Sequence, residues 1–228
     1  GDHRYLHAFP TRRSSDLGEL PYMRFEEIAE VIDTIDGAII GLDDWTDAVF
    51  ELAPRMKVIA KFGVGTDNID KQSAARHGIQ VVNAPGLNSN AVAELTVGFI
   101  IDLLRGVTRL HGALEEGRWL RSIGGELSGR TVGLLGFGAI ARLVAKKLQG
   151  FDVDVLASDL YPDYETAEKY GVRIVPGEEV ISGSDIVSIH VPSTPETYHL
   201  FNDETFAKMK PGAYLINAAR GSIVDTGA

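Results

Sequence analysis

The chain has 228 residues, 44% of them apolar and 24% charged, which suits one large or two modest α/β domains. A formal net charge of −10 argues against a nucleic-acid-binding surface and against attraction to an anionic membrane, while leaving local Arg and Lys able to capture a small anion. No residue is cysteine, which removes disulfides, thiolate metal sites and cysteine nucleophiles and fits a reducing, cytoplasmic setting; no metal site is expected.

Residues 1–17 lack an apolar period, and Phe9 to Leu17 resemble the translation of a sequencing-library adapter. They are set aside as a non-native leader, with a disordered tail as the alternative. From Glu19 the pattern turns globular. Phe25 to Ile35 carries helix-period apolar residues, Gly37 to Gly41 reads as a short buried strand, and Trp45 to Leu52 as a helix stopped by Pro54. Lys57 to Phe62 reads as a strand entering Gly63-Val64-Gly65, Ile69 to Arg76 as a helix, and Ile79 to Asn83 as the next strand. Strands alternating with helices imply βαβ units and a parallel sheet.

A turn-rich loop, Ala84 to Asn90, precedes a long helix with Ala91, Leu95, Phe99 and Leu103 on one face. That helix, continuing to Trp119, is expected to cross from one lobe to the next. Its most apolar part, Val92 to Leu104, contains Glu94 and Asp102 and is too short and too charged to span a bilayer. Glu94 is expected to be a buried, hydrogen-bonded helix residue.

The stretch Thr131 to Ala141 then reads as strand, tight turn and helix with a G-x-G-x-x-A fingerprint: Gly136, Gly138 and Ala141. Gly136 permits the turn, Gly138 leaves no Cβ in the way of a pyrophosphate, and Ala141 lets helix and strand approach. The N–H groups at the helix start favour phosphate charge. A second strand, Val153 to Ser158, ends at Asp159, 18 residues past Ala141. An acid at about 20 residues accepts hydrogen bonds from the adenine ribose, and no Arg or Lys follows before Lys169, so the cofactor reads as NAD, not NADP. Further strands are expected at Val172–Val175, Ile186–Ile189 and Tyr214–Asn217, with a helix from Asp203 to Met209.

Three stretches in this order, Gly63 to Asp70, the dinucleotide turn and Asn217 to Asp225, resemble the D-2-hydroxyacid dehydrogenase family, most closely its phosphoglycerate dehydrogenase branch. Asn83 to Asn88, Ala93 to Thr96, and His190-Val191-Pro192 with Thr194 and Thr197 fit the same pattern. The resemblance spans about Glu19 to Asp225. It implies a flavodoxin-like substrate lobe over residues 18–103 and a Rossmann-type NAD lobe over 104–228, with the active site outside the carboxyl ends of the strands.

The resemblance assigns Arg220 to gripping the substrate carboxylate and polarising the keto oxygen, a task suited to a planar, permanently charged fork. It assigns the Val64 and Gly65 N–H groups, with Asn88, to the substrate, and Ala139, Ile140, Asp159, Val191 and Ala218, beside Gly136 and Gly138, to NAD. Lys61 stands where the phosphoglycerate branch often carries Arg, and is either an anion contact or solvated. His77 and His190 are rejected as general bases. The resemblance places the acid–base His and its Glu partner after the last motif, so neither is identified here.

The expectation is therefore a dehydrogenase fragment with both lobes incomplete and the first strand and helix missing. It should bind NAD weakly at best and not turn over. The intact protein is expected to be a homodimer that oxidises 3-phosphoglycerate toward serine biosynthesis. The alternatives are action on another small 2-keto acid such as glyoxylate or pyruvate, or a non-catalytic NAD-sensing protein of the same fold.

Overall fold

A computed structural model of the chain describes residues 5–7, 25–30 and 32–228. It divides into two compact units, residues 1–88 and 89–228.

In the first unit four parallel strands lie in sequential order: β1 (Tyr5–His7), β2 (Gly37–Ile40), β3 (Val58–Lys61) and β4 (Gln80–Val82). Strand β1 falls inside the stretch set aside as a leader, and it pairs with Gly37 to Ile39. The remainder of that stretch lies outside the described residues. The helices are short: α1 (Phe25–Ala29), α2 (Asp47–Glu51) and α3 (Lys71–Arg76). The predicted helix from Phe25 to Ile35 ends early, its last part forming a 3-10 turn at Ile32–Thr34. Trp45 and Ile69 form a parallel bridge ahead of α2 and α3, so both helices start later than the apolar period suggests. The Asp70 side chain caps α3 by accepting from the Ser73 N–H at 2.9 Å. Ile32, Ile40, Trp45, Phe50 and Ile59 fill the core beneath the sheet.

The second unit begins with α4 (Ser89–Arg105) and α5 (Val107–Glu115), divided at Gly106, whose φ of 64° breaks the long helix that the apolar pattern implied. The division between units therefore precedes α4 and does not follow residue 103. The cause is packing. Ala93, Thr96, Ile100 and Leu104 are the buried side of α4, and they meet α6 (Ala139–Leu148) through Ala141, Val144 and Ala145. The expected face, Ala91, Leu95, Phe99 and Leu103, points to solvent instead, and Glu94 is exposed while accepting from Asn90 at 2.8 Å and pairing with Lys147.

Five parallel strands follow in the spatial order β7-β6-β5-β8-β9, with β5 (Thr131–Leu135), β6 (Asp154–Ser158), β7 (Val172–Ile174), β8 (Ile186–Ile189) and β9 (Tyr214–Asn217). Connecting helices are α7 (Tyr164–Lys169), α8 (Gly177–Gly183) and α9 (Asp203–Lys208). Along β5, Val132 and Leu134 join the core under α4 and α6, whereas Leu135 joins the one formed with Val180 and Ile181 of α8. Both faces of the sheet are thus covered, as near-continuous apolar strands require. The order reverses between β5 and β8, which makes that edge the place where an open parallel sheet binds ligands.

Candidate active site

In the second unit every residue assigned to the cofactor lies at the carboxyl end of a strand. The chain leaves β5 through Gly136, whose φ is 91° and whose N–H donates to Ser158 O at 2.8 Å. A Cβ there would sit 2.8 Å from the carbonyl carbon and oxygen of His190, so the turn is packed directly against the end of β8. Phe137 is fully buried, and its N–H donates to Asp159 Oδ2 at 2.7 Å. The other Asp159 oxygen accepts from the Tyr161 N–H at 2.8 Å. One carboxylate therefore ties the glycine turn to the end of β6 while keeping lone pairs for a diol.

Gly138 opens α6 with no side-chain cap, and a Cβ placed on it would meet nothing within 4 Å. The first N–H groups of α6, those of Ala139 and Ile140, have no side-chain cap, and an uncapped helix start is a suitable seat for a pyrophosphate. Ala141 is fully buried, where a larger side chain would hold α6 off the sheet. Open space before Gly138, uncapped N–H donors and a ribose-side carboxylate fit a dinucleotide. Val191 and Ala218 follow β8 and β9 on the same edge, both half-buried.

Arg220 lies just past β9. Asn217 holds the turn by donating to Arg220 O at 2.8 Å and accepting from the Ala219 N–H at 3.0 Å, and Arg220 Nη1 reaches Ala219 O at 2.9 Å. The guanidinium thus stands at the same edge as the glycine turn.

In the first unit Val64 and Gly65 follow β3, and their N–H groups have no hydrogen-bond acceptor among the described residues. The loop is braced from β4: Asn83 Nδ2 donates to Val64 O at 2.7 Å and the Ala84 N–H to Gly63 O at 3.0 Å. Beside it is a cavity of about 420 Å³ lined by Ile39, Lys61, Phe62, Gly63, Leu87 and Asn88 among others. Asn88 therefore joins Val64 and Gly65 at one edge of the four-stranded sheet.

Lys61 is only 7% exposed, which overturns its reading as a solvated side chain. Both rejected histidines hold structural positions. His77 Nε2 lies 3.2 Å from Asp47 Oδ1, and His190 Nε2 lies 2.9 Å from Ser188 Oγ. Burial pushes the His190 imidazole down to about 4. The bracing role of Asn83, and the cap that Asp163 forms on α7 by accepting from the Thr166 N–H at 3.0 Å, were not assigned from sequence. The D-x-x-T spacing was the available signal for the cap.

The family model described as "D-isomer specific 2-hydroxyacid dehydrogenase, NAD binding domain" matches residues 97–228. The chain is 42% identical over 186 residues to D-3-phosphoglycerate dehydrogenase 2, chloroplastic, of Arabidopsis thaliana, covering 80% of this chain and 30% of that relative. It is 41% identical over 216 residues to the glyoxylate reductase of Thermofilum pendens, covering 89% and 62%. It thus spans less than two thirds of the length of either relative. Among solved structures, the NAD-dependent formate dehydrogenase of Staphylococcus aureus in complex with NAD superposes with a TM-score of 0.82 at 29% identity, over 98% of this chain and 75% of that one. Residues 97–228, which hold the glycine turn, Asp159 and α6, match the NAD-binding domain of that family, and the chain belongs to the D-isomer specific 2-hydroxyacid dehydrogenase family.

Proposed function

We propose that the chain carries the cofactor site and the carboxylate-binding groups of an NAD-dependent D-2-hydroxyacid dehydrogenase. The observation that carries this reading is the edge of the five-stranded sheet, where Gly136, the α6 N-terminus, Asp159 and Arg220 stand together. Asp159 holds the turn and accepts from ribose hydroxyls, the Ala139 and Ile140 N–H groups take the pyrophosphate, and Val191 and Ala218 wall the pocket. Held by these residues, a nicotinamide dinucleotide would supply the hydride acceptor or donor for C2 of the substrate. Arg220 grips the carboxylate and draws electron density from the keto oxygen, which lowers the barrier to hydride arrival at C2. In the first unit, the Val64 and Gly65 N–H groups are the proposed substrate donors, with Asn88 beside them.

We further propose 3-phosphoglycerate as the substrate, supported by the phosphoglycerate dehydrogenases among the relatives. Glyoxylate is the second reading, favoured by the similarity to a glyoxylate reductase and by the burial of Lys61, which leaves that residue poorly placed for a phosphate. Stabilisation of the NADH-saturated chain by 3-phosphohydroxypyruvate but not by glyoxylate favours the first, and the reverse the second. The proton for the C2 oxygen is left to a His–Glu pair outside the residues assigned here. The cysteine-free composition supports a cytoplasmic setting.

The proposed homodimer forms through the second unit. Leu95, Phe99 and Leu103 of α4 expose one apolar stripe, and Val107, Leu114, Trp119 and Ile123 add exposed apolar area on the following segment. Light scattering should give twice the chain mass, and Phe99→Glu should halve it. A wild-type chain that is monomeric at tens of micromolar would remove this part of the proposal.

A further inference from the structure

Lys61 is the last residue of β3 and shares a face of the sheet with the fully buried Ile59. A lysine there needs acceptors, because an unpaired buried donor is costly. It has two at the carboxyl edge: Nζ donates to Gly41 O, in the loop after β2, and to Asn68 Oδ1, at 2.8 Å, in the loop after β3. Asn68 closes the knot, since its Nδ2 donates to Gly41 O at 3.3 Å and to Asp43 O. The Lys61 stem runs beneath Gly63, with Cε 4.0 Å from where a Cβ on Gly63 would sit. Gly63 itself holds a φ of 137°, a conformation that few residues other than glycine adopt. The backbone repeats the connection: the Phe62 N–H donates to Ile40 O at 2.9 Å and the Trp45 N–H to Asn68 O at 2.8 Å.

We infer that Lys61 and Asn68 are positioning residues, a part-buried knot that fixes the Gly63–Gly65 turn with its Val64 and Gly65 N–H groups aimed for a carboxylate. This rests on the proposal that those N–H groups bind the substrate. Lys61 acts through the loop and not on the substrate: at least two of its three donors end on Gly41 and Asn68. Asn83 and Ala84 hold the opposite side of the turn, so the loop is clamped between the ends of β2 and β4. A pair of open N–H groups attracts an anion only if the backbone carrying them is already ordered.

The test is amide hydrogen exchange on the full chain, which needs neither ligand nor turnover. Lys61→Met should speed exchange at the bonded amides that hold the loop, those of Phe62, Trp45 and Ala84, by roughly tenfold or more, while the amides of β2 and β3 keep their protection. Lys61→Gln, which retains a donor, should recover part of it. Asn68→Ala should give the same local pattern, which provides a second route should the Lys61 variants fold poorly. Unchanged exchange in the loop, or acceleration spread evenly over the four-stranded unit, would overturn the inference. So would slowing of these amides by millimolar inorganic phosphate in the wild type but not in Lys61→Met, since that would make Lys61 an anion contact. The dehydrogenase reading fails separately, on cofactor binding in the five-stranded unit.

Discussion

Gly136→Val should lower stability by about 3–5 kcal/mol and remove measurable NADH binding. Two costs combine. At a φ of 91° a β-branched residue pays about 1–3 kcal/mol of backbone strain. The new Cβ would also lie 2.8 Å from the His190 carbonyl group and 3.1 Å from the Val191 nitrogen, and backbone at a strand end yields less readily than the tip of a side chain. Relief requires moving the end of β8 away from the turn, which displaces Val191 and reshapes the cofactor edge. Gly138→Ala is the informative contrast. Gly138 has a φ of −77° and open space around it, so alanine should leave the melting temperature nearly unchanged. Its methyl group would occupy the space in front of the α6 N-terminus and weaken NADH binding on its own. Thermal melts and NADH titrations of the two variants separate turn geometry from pyrophosphate access; equal melting losses in both would contradict the account.

Stability should fall by about 2 kcal/mol between pH 7.5 and pH 5 because of His190 alone. Its imidazole follows β8, bonded to the fully buried Ser188 hydroxyl, and desolvation of the charged form lowers it from 6.5 to about 4. The sign follows from proton uptake. About a unit or more above pH 6.5 neither state is protonated there and the full stability is present. As pH falls from 6.5 toward 4 the unfolded chain takes up a proton that the folded chain refuses, and unfolding gains. The carboxylates held low by their partners, such as Asp36 beside Arg55 and Lys57 and Asp185 beside Lys210, lose their contribution only in stronger acid. Urea unfolding at the two pH values should therefore show a drop about 2 kcal/mol smaller in His190→Gln than in the wild type. An equal drop in both would place the acid sensitivity elsewhere.

How much of this was legible in the sequence depended on whether a residue type had one physical job or several. Gly136 and Ala141 stand where packing leaves few alternatives, Gly138 stands at an uncapped helix start, and Asp159 follows a strand and binds the turn, so this corner of the proposed site was legible in the spacing. Helix α4 shows the opposite case. Leu95, Phe99 and Leu103 form one stripe at helical spacing, and Ala93, Thr96, Ile100 and Leu104 form another. Hydrophobicity favoured the larger side chains, yet close approach to Ala141, Val144 and Ala145 of α6 selected the side with the smaller ones. The division of the chain into units moved with that choice. Helices α7 and α8 have six and seven residues, too few for a period to show. Lys61 was legible as a cation near the substrate loop, but its burial depends on Gly41 and Asn68, 20 and 7 residues away in sequence.

The central claim is that Asp159 and the Gly136–Ile140 turn form an NAD site, and titration of the purified chain with NADH and NADPH tests it most directly. The account predicts saturable NADH binding, weak in absolute terms, and at least roughly tenfold tighter than NADPH, because the Asp159 carboxylate accepts from a ribose diol and repels a 2′-phosphate. In Asp159→Asn the preference should narrow. Equal binding of the two cofactors by the wild type, or no saturable binding of either, would contradict the claim.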